Sequence, residues 1–228
     1  PDYQSLFREE RGRLDICCIP TGIAWHSRMT IDALRAGCHV LVEKPVAGTV
    51  EEVDAMIEAR NEAGLQVFVG FQDMYSSLTH ELKRLLLGGA IGQLQRIKIM
   101  AVWPRSLAYY TRNNWAGCLK NQAGWVYDSP ANNALSHSMM AALYLAGPTF
   151  REVGSVVKLE AELYRAQPIE SFDTISSRLE TADGVEIYYG VTHSSVERQD
   201  PVLELEGTAG KVVWEVSGNI RFCPDNGK

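Results

Sequence analysis

A lysine at the end of an apolar run could bind a reacting oxygen or take part in proton transfer. The stretch HVLVEKP, residues 39–45, ends a β-branched run in Glu43, Lys44 and Pro45. In a parallel sheet, ligands bind outside the carboxyl ends of the strands, so this ammonium group would lie at the mouth of a cleft. Proline removes an amide donor from the sheet, and a Lys–Pro bond can adopt the cis form. Taken alone, the tripeptide is more typical of an ordinary strand end followed by polar residues.

A histidine in an uncharged segment is the second candidate for acid–base chemistry. Residues 129–150 contain no Asp, Glu, Lys or Arg, and their unbroken apolar run, MMAALYLA, is well short of the roughly 20 residues that span a membrane. The segment therefore predicts a buried helix. Asn133 and His137 are four residues apart, which places them one turn apart on one helix face. Imidazole suits general base catalysis near neutral pH, although a lone histidine on an apolar helix is usually a core residue with satisfied hydrogen bonds.

An aromatic segment lies between these two candidates. It contains Trp103, Tyr109, Tyr110, Trp115, Trp125 and Tyr127. Aromatic faces suit the C–H surfaces of a sugar ring, and Arg105, Asn113 and Asn114 could bond its hydroxyls. A loop that packs over the core or forms a subunit interface is an equal alternative. The other histidines and the cysteines have no metal-ligand spacing, so we predict no metal site.

The first third of the chain alternates between two hydrophobic periods. Apolar strand-like runs occupy residues 14–20, 39–43 and 65–71, and helical periodicity occupies 26–36 and 49–63. This order predicts a parallel sheet with crossover helices. Thr49 and Glu52 fit a capping box, and Gly37 and Gly64 lie where a helix ends in a left-handed residue.

The pattern changes after Phe71. A helix at about 76–87 and a long strand at 92–103 precede the aromatic segment, and from Phe150 onward strand follows strand with short turns. Short turns predict a mostly antiparallel open sheet with helices on one face. We therefore expect α/β followed by α+β: residues 1–72 form a partial Rossmann-like dinucleotide-binding domain, and residues 73–228 form a substrate-binding and oligomerisation domain. Val, Leu and Tyr alternation predicts an apolar outer sheet face that a second subunit covers.

Composition excludes several classes of protein. The chain is 46% hydrophobic and 22% charged, as in globular proteins with a substantial core. A net charge of -6 without any basic cluster argues against a nucleic-acid partner. The polar N-terminus is not a secretory signal, and five cysteines form no pairable framework, which favours a reducing cytoplasm.

Four longer stretches of the sequence carry a family resemblance: AGCHVLVEKPVAGTVEEVDAMIEARNEAG, DICCIPTGIAWH, LKRLLLGGAIGQLQRIKI and NNALSHSMMAALYLAG. They resemble the Gfo/Idh/MocA family of NAD(P)-dependent oxidoreductases. The resemblance implies that His137 accepts the hydroxyl proton while Lys44 bonds the substrate oxygen across a cleft. The cofactor residues that it implies for NAD or NADP are Thr21, His26, Glu43, Lys44 and Pro45. Together with Trp103 and Arg105 of the aromatic segment, the expected substrate-binding residues are Lys44, Asn133 and His137, and Asn133 is also expected to be catalytic.

The chain departs from the family pattern at three places. The cluster GGAIG at 88–92 ends a helix and precedes a strand, the reverse of the order that a GxGxxG phosphate loop requires, so we expect two further βαβ units upstream. Many members have Asp where this chain has Asn133, and an amide cannot stabilise imidazolium by charge. Gly22 and Ile23 replace a Pro and an Asn.

The leading hypothesis is an oxidoreductase that moves hydride between nicotinamide and a sugar or polyol. A cofactor-free sugar-binding or structural module is the alternative from another class, and an elimination or glycoside cleavage assisted by NAD is a third. Without the phosphate loop we expect this chain alone to be inactive and to show no measurable NAD affinity. We also expect a homo-oligomer, either a dimer or a tetramer.

Overall fold

The computed structural model of the chain describes residues 2–216 and 218–224. The helices are α1 Tyr3–Glu9, α2 His26–Arg35, α3 Val50–Ala63, α4 Ser77–Leu87, α5 Leu107–Tyr110 and α6 Ser136–Ala146. The strands are β1 Ile16–Ile19, β2 His39–Val42, β3 Val67–Val69, β4 Leu94–Val102, β5 Lys120–Asn121, β6 Gly124–Trp125, β7 Val156–Tyr164, β8 Thr174–Thr181, β9 Glu186–Thr192, β10 Gln199–Gly207, β11 Gly210–Glu215 and β12 Ile220–Pro224.

The chain separates into two compact units. One contains Pro1–Phe71 with Asn113–Asp128, and the other contains Gln72–Arg112 with Ser129–Lys228. The break after Phe71 lies one residue before the predicted boundary. Residues 113–128, predicted from sequence to belong to the second domain, pack with the first unit instead.

The first unit is built on a three-stranded parallel sheet of order β1-β2-β3. Val42 pairs with Ile19 on one side and with Val69 on the other, so the three strands end at one edge. The core beneath includes Ile19, Val40 and Leu34, all at least 98% buried. This arrangement confirms the predicted parallel unit.

The residues that cap the two ends of α3 agree with the sequence prediction. The Thr49 hydroxyl accepts from the Glu52 amide at 3.3 Å, and the Glu52 carboxylate accepts from the Thr49 amide at 3.2 Å. Gly64 ends the helix in the left-handed conformation, with φ of 65°. The helix start and end are therefore encoded locally.

The second unit is built on a seven-stranded sheet of order β12-β11-β10-β4-β9-β8-β7. Every pair is antiparallel except β4 with β9, which is parallel. Helix α6 packs on β4 and β10 and contacts α4, so the helices cover one face. Ile97, Ile99 and Leu205 are fully buried on that face.

The opposite face of this sheet is charged. Arg96 contacts Glu186 at 3.0 Å and Glu206 at 3.2 Å, and Lys98 contacts Glu206 at 2.8 Å. Two further ion pairs join Arg178 to Glu186 and Lys211 to Glu204. These side chains alternate along the strands with the buried residues. The predicted apolar outer face is therefore wrong, because its exposed positions carry a network of opposite charges.

No helix among the described residues is long and apolar enough to cross a bilayer. Within the same residues, no three His, Cys, Asp or Glu side chains are grouped so that they could hold a metal ion.

Candidate active site

Lys44 lies in the turn that follows β2, and its peptide bond to Pro45 is cis. The Lys44 amide donates to the Glu43 carboxylate at 3.1 Å. Burial lowers the pKa of the Lys44 ammonium, while the negative charges of Glu43 and Asp128 act in the opposite direction and raise it. A partly desolvated ammonium at the carboxyl edge of a parallel sheet suits an electrostatic role toward a bound oxygen.

His26, the first residue of α2, connects two strand ends. Its ring is 1% exposed, with Nδ1 2.7 Å from the Pro45 carbonyl oxygen and Nε2 3.0 Å from the Thr21 carbonyl oxygen. A neutral imidazole has one N–H, so it donates to one of these carbonyls, and only the protonated ring donates to both. The ring is buried between the two turns, so the predicted direct contact of His26 with cofactor has no support in this geometry.

The remaining predicted cofactor residues lie at the open edge of this sheet. The Thr21 and Glu43 side chains are exposed and Lys44 is half-buried. Pro45 is buried, so its predicted cofactor contact has no support in this geometry. A Cβ built on Gly22 would meet nothing within 4 Å, so the backbone after β1 is open to a ligand. Polar side chains around an open strand end fit the nicotinamide dinucleotide predicted from sequence, which binds at this edge in doubly wound folds.

Residues 113–128 cover the turn that carries Lys44. A Cβ on Gly48 would lie 2.4 Å from the Trp125 carbonyl oxygen, so only glycine allows this approach. At the end of the segment, Asp128 is 4% exposed and accepts from the Gly117 amide at 2.7 Å. Sequence reasoning missed Asp128, because its relation to Lys44 depends on how a distant segment folds back onto the first unit.

Asn133 and His137 do not share one continuous α-helix. Pro130–Ala134 form a π-helical turn, Leu135 interrupts with φ of -110° and ψ of 9°, and α6 begins at Ser136. The predicted placement one α-helical turn apart is therefore wrong. A π-helical turn contains one residue more than an α-helical turn. Such turns often lie at functional sites, because the extra residue redirects a side chain without ending the helix.

The Leu135 carbonyl fixes the start of α6. It accepts from the Ser138 hydroxyl at 2.7 Å and from the Tyr189 hydroxyl on β9 at 3.1 Å. Burial raises the pKa of the Tyr189 phenol, so this group remains a donor. His137, the second residue of α6, is thus held by the sheet below it.

His137 lines a pocket of about 250 Å³ in the second unit. Trp103 lines the same pocket, as do Asp73, Arg198 and Asp200, which sequence reasoning did not single out. The Trp103 indole N–H donates to Asp200 Oδ1 at 2.7 Å. The structure therefore brings together two predicted substrate residues and adds charged neighbours to them.

Arg105 and Asn133 are placed differently from Trp103. The Arg105 guanidinium lies over the Tyr109 ring, 4.5 Å from its centroid, and 5.8 Å from the Trp103 centroid. Asn133 belongs to the π-helical turn, where its carbonyl accepts from the Ser136 hydroxyl at 2.8 Å. Among the described residues, neither is part of the pocket lining. Their predicted substrate contacts have no support in this geometry.

The buried His193 holds the backbone at Trp103 by a hydrogen bond. His193 is 3% exposed, and its Nδ1 lies 2.8 Å from the Trp103 carbonyl oxygen, so this nitrogen carries the proton and donates. Burial lowers the pKa of His193 to about 4. The ring is therefore neutral near pH 7 and serves as a fixed donor.

Two family models match the chain. One is described as an oxidoreductase family with an NAD-binding Rossmann fold and matches residues 1–71, and the other is the GFO/IDH/MocA C-terminal domain and matches residues 79–213.

Among curated proteins, dTDP-3,4-didehydro-2,6-dideoxy-alpha-D-glucose 3-reductase of Streptomyces antibioticus is 26% identical over 93% of this chain and 59% of its own length. The WlbA dehydrogenase of Bordetella pertussis, solved with NADH and UDP-GlcNAcA, matches with a TM-score of 0.84 and 23% identity over 100% of this chain and 63% of its own. An inositol dehydrogenase homologue of Azotobacter vinelandii, solved with NADH and myo-inositol, matches with a TM-score of 0.83 and 17% identity over 100% of this chain and 59% of its own.

The two structural matches show the fold. The chain spans 59% to 63% of the length of these three proteins. The second family model alone covers more than half of the chain. The chain therefore belongs to the Gfo/Idh/MocA family of NAD-binding oxidoreductases.

Proposed function

We propose that the protein is an NAD(P)-linked oxidoreductase that interconverts a hydroxyl carbon and a carbonyl carbon of a sugar or polyol. The observation that carries this proposal is the partly desolvated Lys44 at the carboxyl edge of β2, inside the unit that the NAD-binding family model matches. A bound nicotinamide would supply hydride transfer at its C4.

Lys44 is proposed to bond the reacting oxygen of the substrate. As the hydroxyl loses its proton, negative charge develops on this oxygen, and a fixed ammonium stabilises it more strongly where water is partly excluded. The negative charges of Glu43 and Asp128 favour the charged form of Lys44. Thr21 and Glu43, whose side chains are exposed, are proposed to meet the cofactor at the same edge.

His137 is proposed to accept the hydroxyl proton. Its support is its place in a pocket beside Trp103, at the start of a helix that Tyr189 and Ser138 fix through Leu135. A general base is effective when it is held in a single orientation within hydrogen-bond reach of its target. Asn133 is no longer proposed as a catalytic partner, because it lies in the separate π-helical turn.

Sugars and polyols are the proposed substrates. The relatives named above act on a deoxyglucose nucleotide or were solved with a nucleotide sugar or with myo-inositol. Trp103 beside charged hydrogen-bonding groups is a suitable lining for a polyhydroxylated ring. The cofactor-free module is not favoured, because the first unit matches an NAD-binding model.

Two substitutions test the proposal. In the full-length protein, Lys44→Ala and His137→Ala should each lower kcat by about two to four orders of magnitude, the size expected for losing a positioned acid or base. Steady-state NADH formation with a panel of sugars and polyols would measure this, and thermal melting would show that the fold is intact. Arg13→Ala, at a basic side chain that is 72% exposed and lies outside β7, is the matched control and should keep wild-type turnover.

Near-normal turnover in both variants would remove these residues from the mechanism. Product formation from the sugar without net accumulation of NADH would instead favour elimination or glycoside cleavage assisted by NAD.

We also propose that the protein forms homo-oligomers and acts in the cytoplasm. The support for assembly is the edge strand β7, whose nine residues are all exposed, including Val157, Leu159 and Leu163. The five cysteines are free thiols, as is usual in a reducing compartment.

A further inference from the structure

The pocket beside His137 contains a carboxylate that is fixed in one orientation. Building on the function proposed above, we propose that Asp200 is a specificity-determining residue that accepts a hydrogen bond from a second hydroxyl of the substrate through its Oδ2 atom. Its neighbours Trp103 and Arg198 would then serve to hold that carboxylate in place.

Three donors converge on one oxygen of Asp200. Oδ1 accepts from Trp103 Nε1 at 2.7 Å and from Arg198 Nε and Nη2 at 3.1 and 2.9 Å. Within residues 2–216 and 218–224, none of the described donors bonds to Oδ2. A carboxylate oxygen with free lone pairs in a pocket is an acceptor for a ligand hydroxyl.

The Asp200 side chain remains ionised at neutral pH. Its hydrogen bonds from Arg198, and then from Trp103, lower the pKa of the carboxyl group. An ionised carboxylate only accepts hydrogen bonds, and charge-assisted bonds of this kind are stronger than neutral ones. The group therefore favours a donor such as a hydroxyl.

Asp200 is better prepared for this role than the other acid of the pocket. Asp73 lies in the 3₁₀ turn Gln72–Tyr75, and among the described residues no donor fixes its carboxylate. A group that is already held by three bonds loses little conformational entropy when a ligand arrives. Many family members have a carboxylate at position 133, but here Asn133 lies in the π-helical turn and outside the pocket lining, whereas Asp200 brings a carboxylate into the pocket from β10.

The charges of the pocket define the class of group that it takes. Two carboxylates and one guanidinium, those of Asp73, Asp200 and Arg198, line it with His137. A phosphate or carboxylate of a substrate would be repelled by the two acids, whereas an uncharged polyol portion would not. We therefore expect the part of the substrate in this pocket to be a neutral ring or chain with at least two hydroxyls.

The test is Asp200→Asn in the full-length protein. The asparagine amide keeps the size and the Oδ1 acceptor for Trp103, but it replaces the anionic Oδ2 with a donor. We expect kcat/KM to fall about 10- to 100-fold, mainly through KM, because one hydrogen bond from the substrate to a charged group is lost. Glu197→Gln, which removes a neighbouring exposed charge, should leave both constants within about twofold of wild type.

Singly deoxygenated derivatives of D-glucose identify the hydroxyl that is bound. For one derivative, kcat/KM of the wild-type protein should fall by the same factor as the Asp200→Asn substitution causes with D-glucose. With Asp200→Asn, the same derivative should cause no further fall, since the two changes remove one interaction. Arg198→Gln removes the ion pair but keeps the carboxylate, and it should lose less than Asp200→Asn. Equal losses in these two variants would overturn the inference, because the ion pair and not the acceptor would then be responsible.

Binding separates the failure of this inference from the failure of the proposed function. Quenching of tryptophan fluorescence, titrated with D-glucose and myo-inositol in the presence of NADH, measures affinity without turnover. Weaker binding by Asp200→Asn supports the inference even if no oxidation is found. Equal affinity of the two proteins, including no binding by either, overturns it, and loss of turnover in His137→Ala would still support the proposed function.

Discussion

Asp128 illustrates how single residues tune the candidate site. The side chain is 4% exposed, yet its negative charge opposes the effect of burial on Lys44 and helps to keep the ammonium charged. No local pattern identifies it, because Asp128 comes from a segment that follows the whole of β4. The strand-end position of Lys44 could be predicted from HVLVEKP, but the residue that balances its charge could not.

The pH dependence of the full-length protein should therefore change when Asp128 becomes Asn. The amide still accepts from the Gly117 N–H, so the local backbone is retained. Without the carboxylate charge, the pKa of Lys44 moves further below its ordinary value, because burial then acts with less opposition. The basic limb of kcat/KM should shift to lower pH in a series of steady-state measurements.

Asp54→Asn, on the exposed face of α3, provides a control of equal charge change for that experiment. It should leave the profile unchanged. If the profiles of wild type and Asp128→Asn superimpose, then Lys44 does not determine the basic limb.

At the scale of elements, the sequence predicts where a helix or a strand forms better than it predicts which face of that element is buried. The capping box of α3 and its left-handed Gly64 depend on neighbouring residues and were predictable. The buried face of α3 was not: Met56 and Ala59 are buried, while Val50 and Ile57 are 71% and 43% exposed. Several apolar residues on one helix define more than one possible stripe, and only the packing partner selects between them. The π-helical turn before α6 could not be predicted either, because a π-helical turn and an α-helical turn can have the same amino-acid composition.

The far end of α6 depends on a buried lysine of α4. Lys83 is fully buried and donates to the carbonyls of Tyr144 at 2.7 Å, Leu145 at 3.4 Å and Gly147. Burial lowers the pKa of Lys83 to about 8, which leaves the ammonium charged at neutral pH. The positive charge also meets the negative end of the helix dipole.

Replacing Lys83 by Met should lower the free energy of unfolding by about 2 to 4 kcal/mol. Met keeps most of the side-chain volume, but it leaves carbonyls at the end of α6 buried without their donor. Urea denaturation followed by circular dichroism measures the change. The control Arg13→Met, at a side chain that is 72% exposed, should change stability by less than about 0.5 kcal/mol. Equal stability of Lys83→Met and wild type would mean that water reaches these carbonyls.

At the scale of the whole molecule, topology decides what sequence patterns leave open. The succession of strands and helices predicts both sheets, and it places the change of architecture near residue 72. It does not predict that residues 113–128 return to the first unit, because this depends on contacts between distant parts of the chain, such as those of Gly48 with the Trp125 backbone and of Ala24 with Gly124. The alternation of strand residues also does not predict which face is charged, since the cross-strand ion pairs depend on the register of β4 and β8–β11.

Because the charged outer face satisfies its own charges, the edge strand β7 is the better candidate for self-association. Among the described strands β7 pairs only with β8, and its Leu159 lies opposite the buried Leu179, on the side that the helices cover elsewhere. Val157, Leu159 and Leu163 are nevertheless 64%, 61% and 55% exposed. A long exposed edge with an apolar row is a ready site for pairing with another chain.

A second copy of this strand would complement the first. In an antiparallel pair centred on Leu159, Lys158 of each copy faces Glu160 of the other, so the charges match where the leucines meet. We expect the protein to be oligomeric by multi-angle light scattering, and Leu159→Asp to shift it toward the monomer by placing two carboxylates opposite each other. Val196→Asp, at a side chain that is 99% exposed and lies outside β7, should leave the assembly unchanged. A wild-type monomer at high concentration, or a Leu159→Asp oligomer of wild-type mass, would show that β7 is covered by something other than its own copy.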